Sequence, residues 1–253
     1  MTPLPAITFL TIVPLPGREG NALDAVARAR WAFPLVGLGL GAAALGAWYA
    51  ASRALPPDAA AGLAVVTLVL LTGGLHLEGL ADACDGLFGG RTREERLAIM
   101  RDPRVGAYGA MGLAVTLGLK WAGIAAAPGA VRFEALLLAP CLARFALTLC
   151  TAAFPYARQE GMGAPFREGG ALQAVVAGAL AGAAAFALLG PGGLVVWTLA
   201  AGGALAAGGW ASARLGGLTG DLYGAVTELI ETSALLGIAA GASRGWLAPA
   251  LSS

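Results

Sequence analysis

One stretch of this sequence limits the fold more than any other, because residues 169–213 carry no charged side chain over 45 positions. About 20 consecutive apolar residues form a helix long enough to cross the hydrocarbon of a bilayer, so this stretch is long enough for two crossings. Gly190-Pro191-Gly192-Gly193 lies near its middle, and such a cluster favours a turn. The stretch therefore predicts a transmembrane helical hairpin.

The composition of the whole chain also indicates a membrane protein. Apolar residues make up 58% of the 253 residues and charged residues only 12%, whereas soluble domains carry about 25% charged residues. A net charge of +1 gives no general electrostatic attraction for nucleic acid, so no nucleic-acid partner is expected. The three cysteines have no metal-binding spacing and are expected to pack as small apolar residues.

Five further apolar stretches have the length of a membrane span, and they cover residues 31–52, 59–77, 106–127, 133–154 and 222–241. With the hairpin they predict an all-α, polytopic transmembrane helix bundle of about seven spans, in a single domain over residues 1–253. With the N-terminus in the cytoplasm, eleven of the 16 basic residues, Arg18 and Arg167 among them, lie on the cytoplasmic side. The positive-inside rule therefore predicts a cytoplasmic N-terminus.

The densest set of ionisable residues lies in residues 73–91, which are predicted to continue the second span as a helix toward the cytoplasm. At about 100° per residue, Glu78, Asp82 and Asp85 share one narrow face of that helix. Neighbouring carboxylates repel one another, and Mg²⁺, which prefers carboxylate oxygens with water and substrate phosphate, would relieve the repulsion. The alternative is a solvated helix end. His76 projects away from Glu78 and is expected to pack or to support the site from behind.

A second acidic segment lies in the last predicted span. Asp221 and Glu228 share one face of this helix, whereas Glu231 points elsewhere. In the seven-span arrangement both acidic segments reach the cytoplasmic side, so they are predicted to face each other across one ion site. The alternative for Asp221 alone is a role as the N-cap of the helix, which leaves Glu228 unexplained.

Two basic residues, Lys120 and Arg144, lie inside predicted spans, where an unpaired charge is costly. Each is expected to meet either an acidic side chain, such as Glu78 or Glu228, or an anionic ligand. Carboxylates for a metal ion, combined with cations for an anion, indicate phosphoryl transfer. A cation-coupled transporter that uses the same carboxylates as an ion pathway is the alternative from another functional class.

Residues 73–86, which read Gly-Gly-Leu-His-Leu-Glu-Gly-Leu-Ala-Asp-Ala-Cys-Asp-Gly, resemble the central signature of the cobalamin synthase (adenosylcobinamide-GDP ribazoletransferase) family. Residues 9–14, 96–109, 155–163 and 217–225 are similar to further blocks of that family. Glu78 stands where the family usually has Asp, and Ile12 stands where a basic residue is usual. The Asp82–Gly86 element is also similar to part of the CDP-alcohol phosphotransferase signature, but the residues that follow it do not match.

The resemblance implies a transferase that joins α-ribazole, or its 5′-phosphate, to adenosylcobinamide-GDP, releases GMP and forms adenosylcobalamin or its phosphate. It implies a Mg²⁺ cofactor and a location in the plasma (inner) membrane of a prokaryote, with the active site facing the cytoplasm. The corrinoid nucleotide, α-ribazole and the lipid bilayer are the expected partners, and homo-oligomer formation is left open.

The resemblance also assigns roles to residues of this chain. The expected metal ligands are Glu78, Asp82, Asp85 and Asp221. The expected catalytic residues are Lys120 and, as candidates for the general base, Asp85 and Asp102. The expected substrate-binding residues are Arg91, Arg101, Tyr108, Arg144, Arg158 and Glu228.

Overall fold

The computed structural model describes residues 2–14, 23–161, 163–166 and 169–250. Its helices are α1 (Leu4–Leu10), α2 (Leu23–Ala29), α3 (Phe33–Ala51), α4 (Pro57–Thr72), α5 (Leu75–Gly89), α6 (Arg93–Ile99), α7 (Ala107–Ala126), α8 (Arg132–Ala153), α9 (Ala171–Leu215) and α10 (Gly220–Ser243). Apart from one isolated bridge between Tyr156 and Leu218, these residues contain no β-structure. The predicted all-α class is confirmed.

The predicted spans 31–52, 106–127, 133–154 and 222–241 and the hairpin over residues 169–213 coincide closely with long apolar helices, whereas the span predicted over residues 59–77 is divided between α4 and α5. Five of the described helices are long and apolar enough to cross a membrane, and α4 with α5 passes the same test only as a bent pair. The protein is therefore a polytopic membrane protein. The number of crossings and the side of the N-terminus stay predictions, and Arg18 and Arg167 lie outside the described residues.

Helix α9 reverses direction at its centre, as the glycine and proline cluster predicts. Gly190 has φ 58° and ψ −144°, which no α-helix contains, and Pro191 follows it. The two limbs, residues 171–189 and 191–215, pack against each other, since a Cβ atom on Gly182 would lie 3.6 Å from the Trp197 ring. The charge-free stretch is therefore a helical hairpin.

The core of the bundle is built around α8, in which every residue from 138 to 148 is buried. Helices α3, α9 and α10 surround it. Small residues permit the close approach of α3, because a Cβ atom on Gly37 would lie 2.7 Å from the Cα atom of Cys141, and one on Gly41 would lie 2.5 Å from the Leu136 carbonyl oxygen. Cys141 itself is buried and unpaired, as expected for a packing residue.

The acidic segment does not continue the second span, and this prediction is wrong. Helix α4 ends at Thr72, Gly73 and Gly74 both adopt left-handed backbone conformations with φ values of 61° and 71°, and α5 leaves at 91° to α4. Glycine adopts this conformation without a steric penalty. A straight helix over residues 57–89 would be about 50 Å long, against a hydrocarbon layer of about 30 Å. The bend instead folds the excess length back onto the bundle.

Helix α5 runs across the first turns of α7 and α10, which lie side by side and point in the same direction. Its first half packs on the start of α10, where a Cβ atom on Gly79 would lie 2.9 Å from the carbonyl oxygen of Asp221. Its second half packs on the start of α7, which Asp85 reaches with its carboxylate. The bend therefore positions the acidic residues at the ends of two other helices.

Candidate active site

A cavity opens where α5 crosses the start of α10, and it brings residues of the two acidic segments together. Glu78 and Asp82 of α5 and Asp221 of α10 all line it. The cavity has a volume of about 110 Å³. The close packing of Gly79 against the backbone of Asp221 allows the two helices to approach this far.

Asp221 is held by two partners. Arg158 Nη2 lies 2.9 Å from Asp221 Oδ2, and the Thr219 hydroxyl donates a hydrogen bond of 3.2 Å to the same oxygen. The N-cap of α10 is Thr219, whose hydroxyl oxygen accepts the N–H of Leu222, so the interpretation of Asp221 as the N-cap is wrong. Asp221 lies in the first turn instead, where the helix dipole favours a carboxylate.

The loop that carries Arg158 is fixed by backbone pairing with the turn before α10. The N–H of Ala157 donates to the carbonyl oxygen of Leu218 at 2.8 Å. Arg93 of α6 holds both sides, since its Nη2 donates to the Ala157 carbonyl at 3.1 Å and its Nε to the Leu215 carbonyl at 2.8 Å. These contacts explain how residues 155–158 deliver a guanidinium group to Asp221.

Glu78 and Asp82 have no hydrogen-bond or ion-pair partner within the described residues. The Asp82 carboxylate interacts electrostatically with Asp221 and Glu78, which repel it, and with Arg158, which attracts it. No three His, Cys, Asp or Glu side chains in the described ranges form a ready-made metal centre. Mg²⁺ commonly uses one or two carboxylates together with water and substrate phosphates, so this donor set fits an ion that binds with a diphosphate.

The structure places Asp85 outside the cavity. Its Oδ2 accepts the N–H of Gly106 at 2.7 Å, and its Oδ1 accepts the N–H of Gly109 at 2.8 Å. A Cβ atom on Gly106 would lie 2.5 Å from Oδ1, which explains the glycine at that position. Asp85 therefore binds the start of α7. Of the three carboxylates predicted to share one face, only Glu78 and Asp82 line the cavity.

Asp102 also lies away from the cavity, on the loop before α7. Its carboxylate accepts hydrogen bonds from Arg104 Nε at 2.9 Å and from Arg104 Nη2 at 2.6 Å. These side-chain hydrogen bonds lower the pKa of Asp102 to about 2. A general base works best with a pKa near the operating pH, so the geometry and the pKa both argue against this role for Asp102.

Three predicted substrate-binding residues, Arg91, Arg101 and Tyr108, are exposed between the end of α5 and the first turn of α7 and do not line the cavity. Arg101 is near enough to Asp221 to interact with its charge. The Tyr108 ring packs beside Phe88, with 6.0 Å between the ring centroids.

Lys120, Arg144 and Glu228 form a buried ion-pair network and do not reach the cavity. Lys120 Nζ lies 2.6 Å from Glu228 Oε2 and 2.7 Å from Glu231 Oε1, and Arg144 pairs with the other carboxylate oxygen of Glu231. No side chain of the four is more than 6% exposed. Lys120 and Arg144 are each expected to meet either an acidic side chain or an anionic ligand, and the structure shows acidic side chains. The pairing agrees with the high cost of an unpaired charge at membrane depth. The catalytic role of Lys120 and the substrate-binding roles of Arg144 and Glu228 stay predictions, and the structure places none of the three in the lining of the cavity.

His76 lines the cavity together with Glu78, although the helical wheel places the two side chains on opposite sides of α5. The residues of α5 that line the cavity, from Leu75 to Asp82, span nearly half of the circumference of the helix. The Nδ1 atom of His76 is enclosed and has no hydrogen-bond partner among the described residues.

Sequence reasoning missed an aromatic side of the cavity, formed by Phe9 of α1, Phe166 of a short 3₁₀ turn and Tyr223 of α10. The Phe166 ring is edge-on to the other two, with centroid distances of 6.1 Å and 6.5 Å. Phe9 and Tyr223 lie in segments that resemble family blocks, which is the only sequence signal for them. No spacing rule connects three residues so far apart in the chain.

Comparison with known proteins agrees with the resemblance seen in the sequence. The family model described as cobalamin-5-phosphate synthase matches residues 3–239, a range that includes the whole cavity. The chain belongs to the cobalamin-5-phosphate synthase family. No solved structure matches it.

Its relatives in this family include proteins named adenosylcobinamide-GDP ribazoletransferase. The one from Geotalea daltonii is 39% identical, over 93% of this chain and 95% of the relative. The one from Bradyrhizobium diazoefficiens is 39% identical, over 93% and 92%, and that from Roseiflexus sp. is 39% identical, over 91% and 86%. The similarity therefore covers nearly the full length of each protein.

Proposed function

We propose that this protein joins α-ribazole, or its 5′-phosphate, to adenosylcobinamide-GDP with release of GMP, the activity for which its relatives are named. The observation that carries the proposal is the cavity at which Glu78, Asp82 and Asp221 meet beside Arg158. Such a set of carboxylates and a cation suits transfer of a phosphoryl group, in which the protein mainly positions reactants and neutralises charge.

In this reaction the 5′-hydroxyl oxygen of ribazole bonds to the corrinoid-side phosphorus of the diphosphate. The bond from that phosphorus to the bridging oxygen breaks, and its electron pair leaves with GMP. The hydroxyl proton passes to an oxygen of a cavity carboxylate that would not contact the metal ion, since Asp85 is bound to backbone amides and Asp102 to Arg104. Arg158, which pairs with Asp221 beside the cavity, would bind a phosphate oxygen of the diphosphate.

We assign Mg²⁺ to Glu78, Asp82 and Asp221. When bound, the ion would neutralise the diphosphate and stabilise the charge that develops on the leaving phosphate. The assignment is supported by the lack of partners for Glu78 and Asp82 in the described part of the chain. Asp85 is left out because both of its oxygens already accept amide hydrogens.

We also propose a location in the bacterial inner membrane, with the cavity open to the cytoplasm. The proposal is supported by the excess of basic residues on one side of the predicted arrangement. Helix α6, which begins at Arg93, and the loop that carries Arg158 would then lie on the cytoplasmic side. Homo-oligomer formation stays a prediction.

The test uses the purified protein in liposomes with Mg²⁺, adenosylcobinamide-GDP and α-ribazole or its phosphate, and measures GMP and the cobalamin product. We expect equal amounts of both products, dependent on Mg²⁺, and a rate at least about 100-fold lower in Asp82→Asn. Asp102→Asn, which changes a carboxylate outside the cavity, is the matched control and should retain the rate. A folded wild-type protein that releases no GMP with either acceptor would overturn the proposal.

A further inference from the structure

We infer that the aromatic side of the cavity, formed by Phe9, Phe166 and Tyr223, binds the heteroaromatic base of the acceptor nucleoside and selects it. The inference rests on the proposed function, because it states which part of the two substrates occupies the cavity. It also assigns a role to residues that neither the sequence motifs nor the mechanism uses.

The size of the cavity limits what can enter it. Its volume of about 110 Å³ is of the same order as the roughly 150 Å³ apolar cavity that takes up benzene. A flat ring can enter such a space, whereas the corrin macrocycle cannot. The macrocycle must therefore remain outside, and a nucleoside base is the flat part of the two substrates that can lie on the aromatic side of the cavity.

The aromatic side is rigid because each ring is supported by another. The ring of Phe9 stacks on Phe33 at a centroid distance of 6.1 Å, and Tyr223 stacks on Tyr156 at 6.3 Å. Phe166 lies between Phe9 and Tyr223 and contacts both edge-on. Nucleic-acid-binding proteins use such aromatic surfaces to stack bases. Phe166 and Tyr223 are only 4% and 3% exposed, so the rings form a fixed apolar wall of the cavity, against which one flat base can lie.

Two bases compete for this role, the guanine of the donor and the base of ribazole. Guanine carries an exocyclic oxygen and an amino group that require hydrogen-bond partners, and burying them without partners is costly. The benzimidazole-type base of ribazole has no such exocyclic groups. The three rings, with Leu75 and Leu147 beside them, offer mainly apolar contacts. The enclosed polar atoms on this side, the Tyr223 hydroxyl and His76 Nδ1, have no hydrogen-bond partner in the described residues. They could meet the ring nitrogen of the ribazole base but are too few for all the polar groups of guanine, so the lining favours the ribazole base.

The positions of the rings also suit the direction of attack. Asp221 and Tyr223 lie two residues apart at the start of α10, and both line the cavity. A nucleoside whose base lies on the rings can therefore direct its ribose toward the carboxylates. The 5′-hydroxyl would then face the diphosphate that Arg158 binds.

The test determines KM separately for α-ribazole and for adenosylcobinamide-GDP. We expect Phe166→Leu and Phe9→Leu to raise KM for α-ribazole about tenfold and to leave KM for the donor within about twofold. Phe186→Leu, which changes an exposed ring on α9, is the matched control and should change neither. A rise in the donor KM alone would assign the cavity to guanine and overturn the inference, as would two unchanged KM values.

A binding measurement separates this inference from the proposed function. Calorimetric titration of α-ribazole alone into the full-length protein requires no turnover. We expect binding by wild type and by Asp82→Asn, and at least about tenfold weaker binding by Phe166→Leu. Equal affinity in Phe166→Leu and wild type would overturn the inference even if the wild type releases GMP. Binding without GMP release would instead contradict the proposed function.

Discussion

A carboxylate can bind a metal ion or take a proton only if it has an oxygen that no protein group already binds. Helix α5 carries one carboxylate with free oxygens and one without, less than one turn apart. Asp82 lines the cavity without a hydrogen-bond partner in the described residues, whereas Asp85 accepts two amide hydrogens from α7. The sequence places both on the same helical face. What separates them is the neighbouring helix, because the first turn of α7 has unpaired N–H groups that attract a carboxylate.

Glu78 stands where the resemblance to the family leads us to expect Asp, and this difference gives a test of the metal assignment. Glu78→Asp keeps the charge and shortens the side chain by one methylene, whereas Glu78→Gln removes the charge. We expect Glu78→Asp to stay within about fivefold of wild type and Glu78→Gln to need at least about tenfold more Mg²⁺ for half-maximal GMP release. The measurement is a Mg²⁺ titration of the initial rate. Equal Mg²⁺ requirements in all three proteins would contradict the assignment of Glu78.

We predict that replacing Asp85 by Asn lowers the stability of the protein. Asn has a single acceptor oxygen and no charge, so Asp85→Asn loses one of the two amide hydrogen bonds and the interaction with the α7 dipole. The free energy of unfolding should fall by about 1–3 kcal/mol. Thermal unfolding in detergent, followed by circular dichroism, measures the change, and Asp102→Asn, whose partly exposed carboxylate is bound only by the neighbouring Arg104, should lose less. An unchanged unfolding midpoint in Asp85→Asn would contradict the capping role.

At the scale of helices, the buried ion pairs determine how α10 packs. Lys120 joins α7 to α10, and Arg144 joins α8 to α10 through Glu231. Glu228 and Glu231 lie two to three turns along α10 from Asp221, so the same helix carries a structural network and a site residue. The helical wheel could not predict this division, because it compares residues within one helix and the partners belong to two others.

We predict that the network tolerates removal of one charge of each sign. Lys120→Met leaves two carboxylates facing Arg144 alone, and breaking a buried pair costs about 3–5 kcal/mol. The double variant Lys120→Met/Glu228→Gln restores neutrality and should recover most of the stability and activity. Unfolding midpoints and GMP release are measured for both. If Lys120 contacts substrate, the double variant will be as inactive as the single one.

The contact between α5 and α10 gives another prediction. A Cβ atom on Gly79 would lie 2.9 Å from the Asp221 carbonyl oxygen and 3.0 Å from its Cα atom, so Gly79→Ala must move the two helices apart. We expect GMP release to fall at least about tenfold, because displacement by about 1 Å can cost a factor of 100. Gly62→Ala on α4, where no neighbour lies within 4 Å, is the control and should remain active. Full activity of Gly79→Ala would show that this contact does not position Asp221.

The spans were predictable from the sequence, whereas the bend and the aromatic rings were not. Charge-free stretches locate spans because the hydrocarbon thickness fixes their length. The glycine pair Gly73-Gly74 is compatible with a straight helix as well as a break, and the contacts of α5 with α7 and α10 favour the break. Phe9, Phe166 and Tyr223 meet only after α1, the 3₁₀ turn and α10 have packed together. Local patterns contain no information about such contacts.

At the scale of the whole molecule, the distribution of basic residues predicts a cytoplasmic cavity, and labelling can test it. In a Cys84→Ala background, Ala54→Cys lies after α3 and Gln159→Cys lies beside Arg158, and both positions are exposed. The remaining cysteines, Cys141 and Cys150, are buried. We expect a membrane-impermeant maleimide to label Ala54→Cys in intact cells and Gln159→Cys only after lysis. The opposite pattern would place the cavity on the outer side.

The transverse course of α5 also affects how substrates reach the cavity. A straight continuation of α4 would carry its acidic residues away from the bundle, whereas the bend at Gly73-Gly74 keeps them at the level where α7 and α10 begin. Reactants that adsorb to the bilayer are concentrated in a thin layer at its surface. An amphipathic corrinoid adsorbed at that surface would reach the carboxylates by lateral diffusion in two dimensions instead of by a search through the whole volume of the cell.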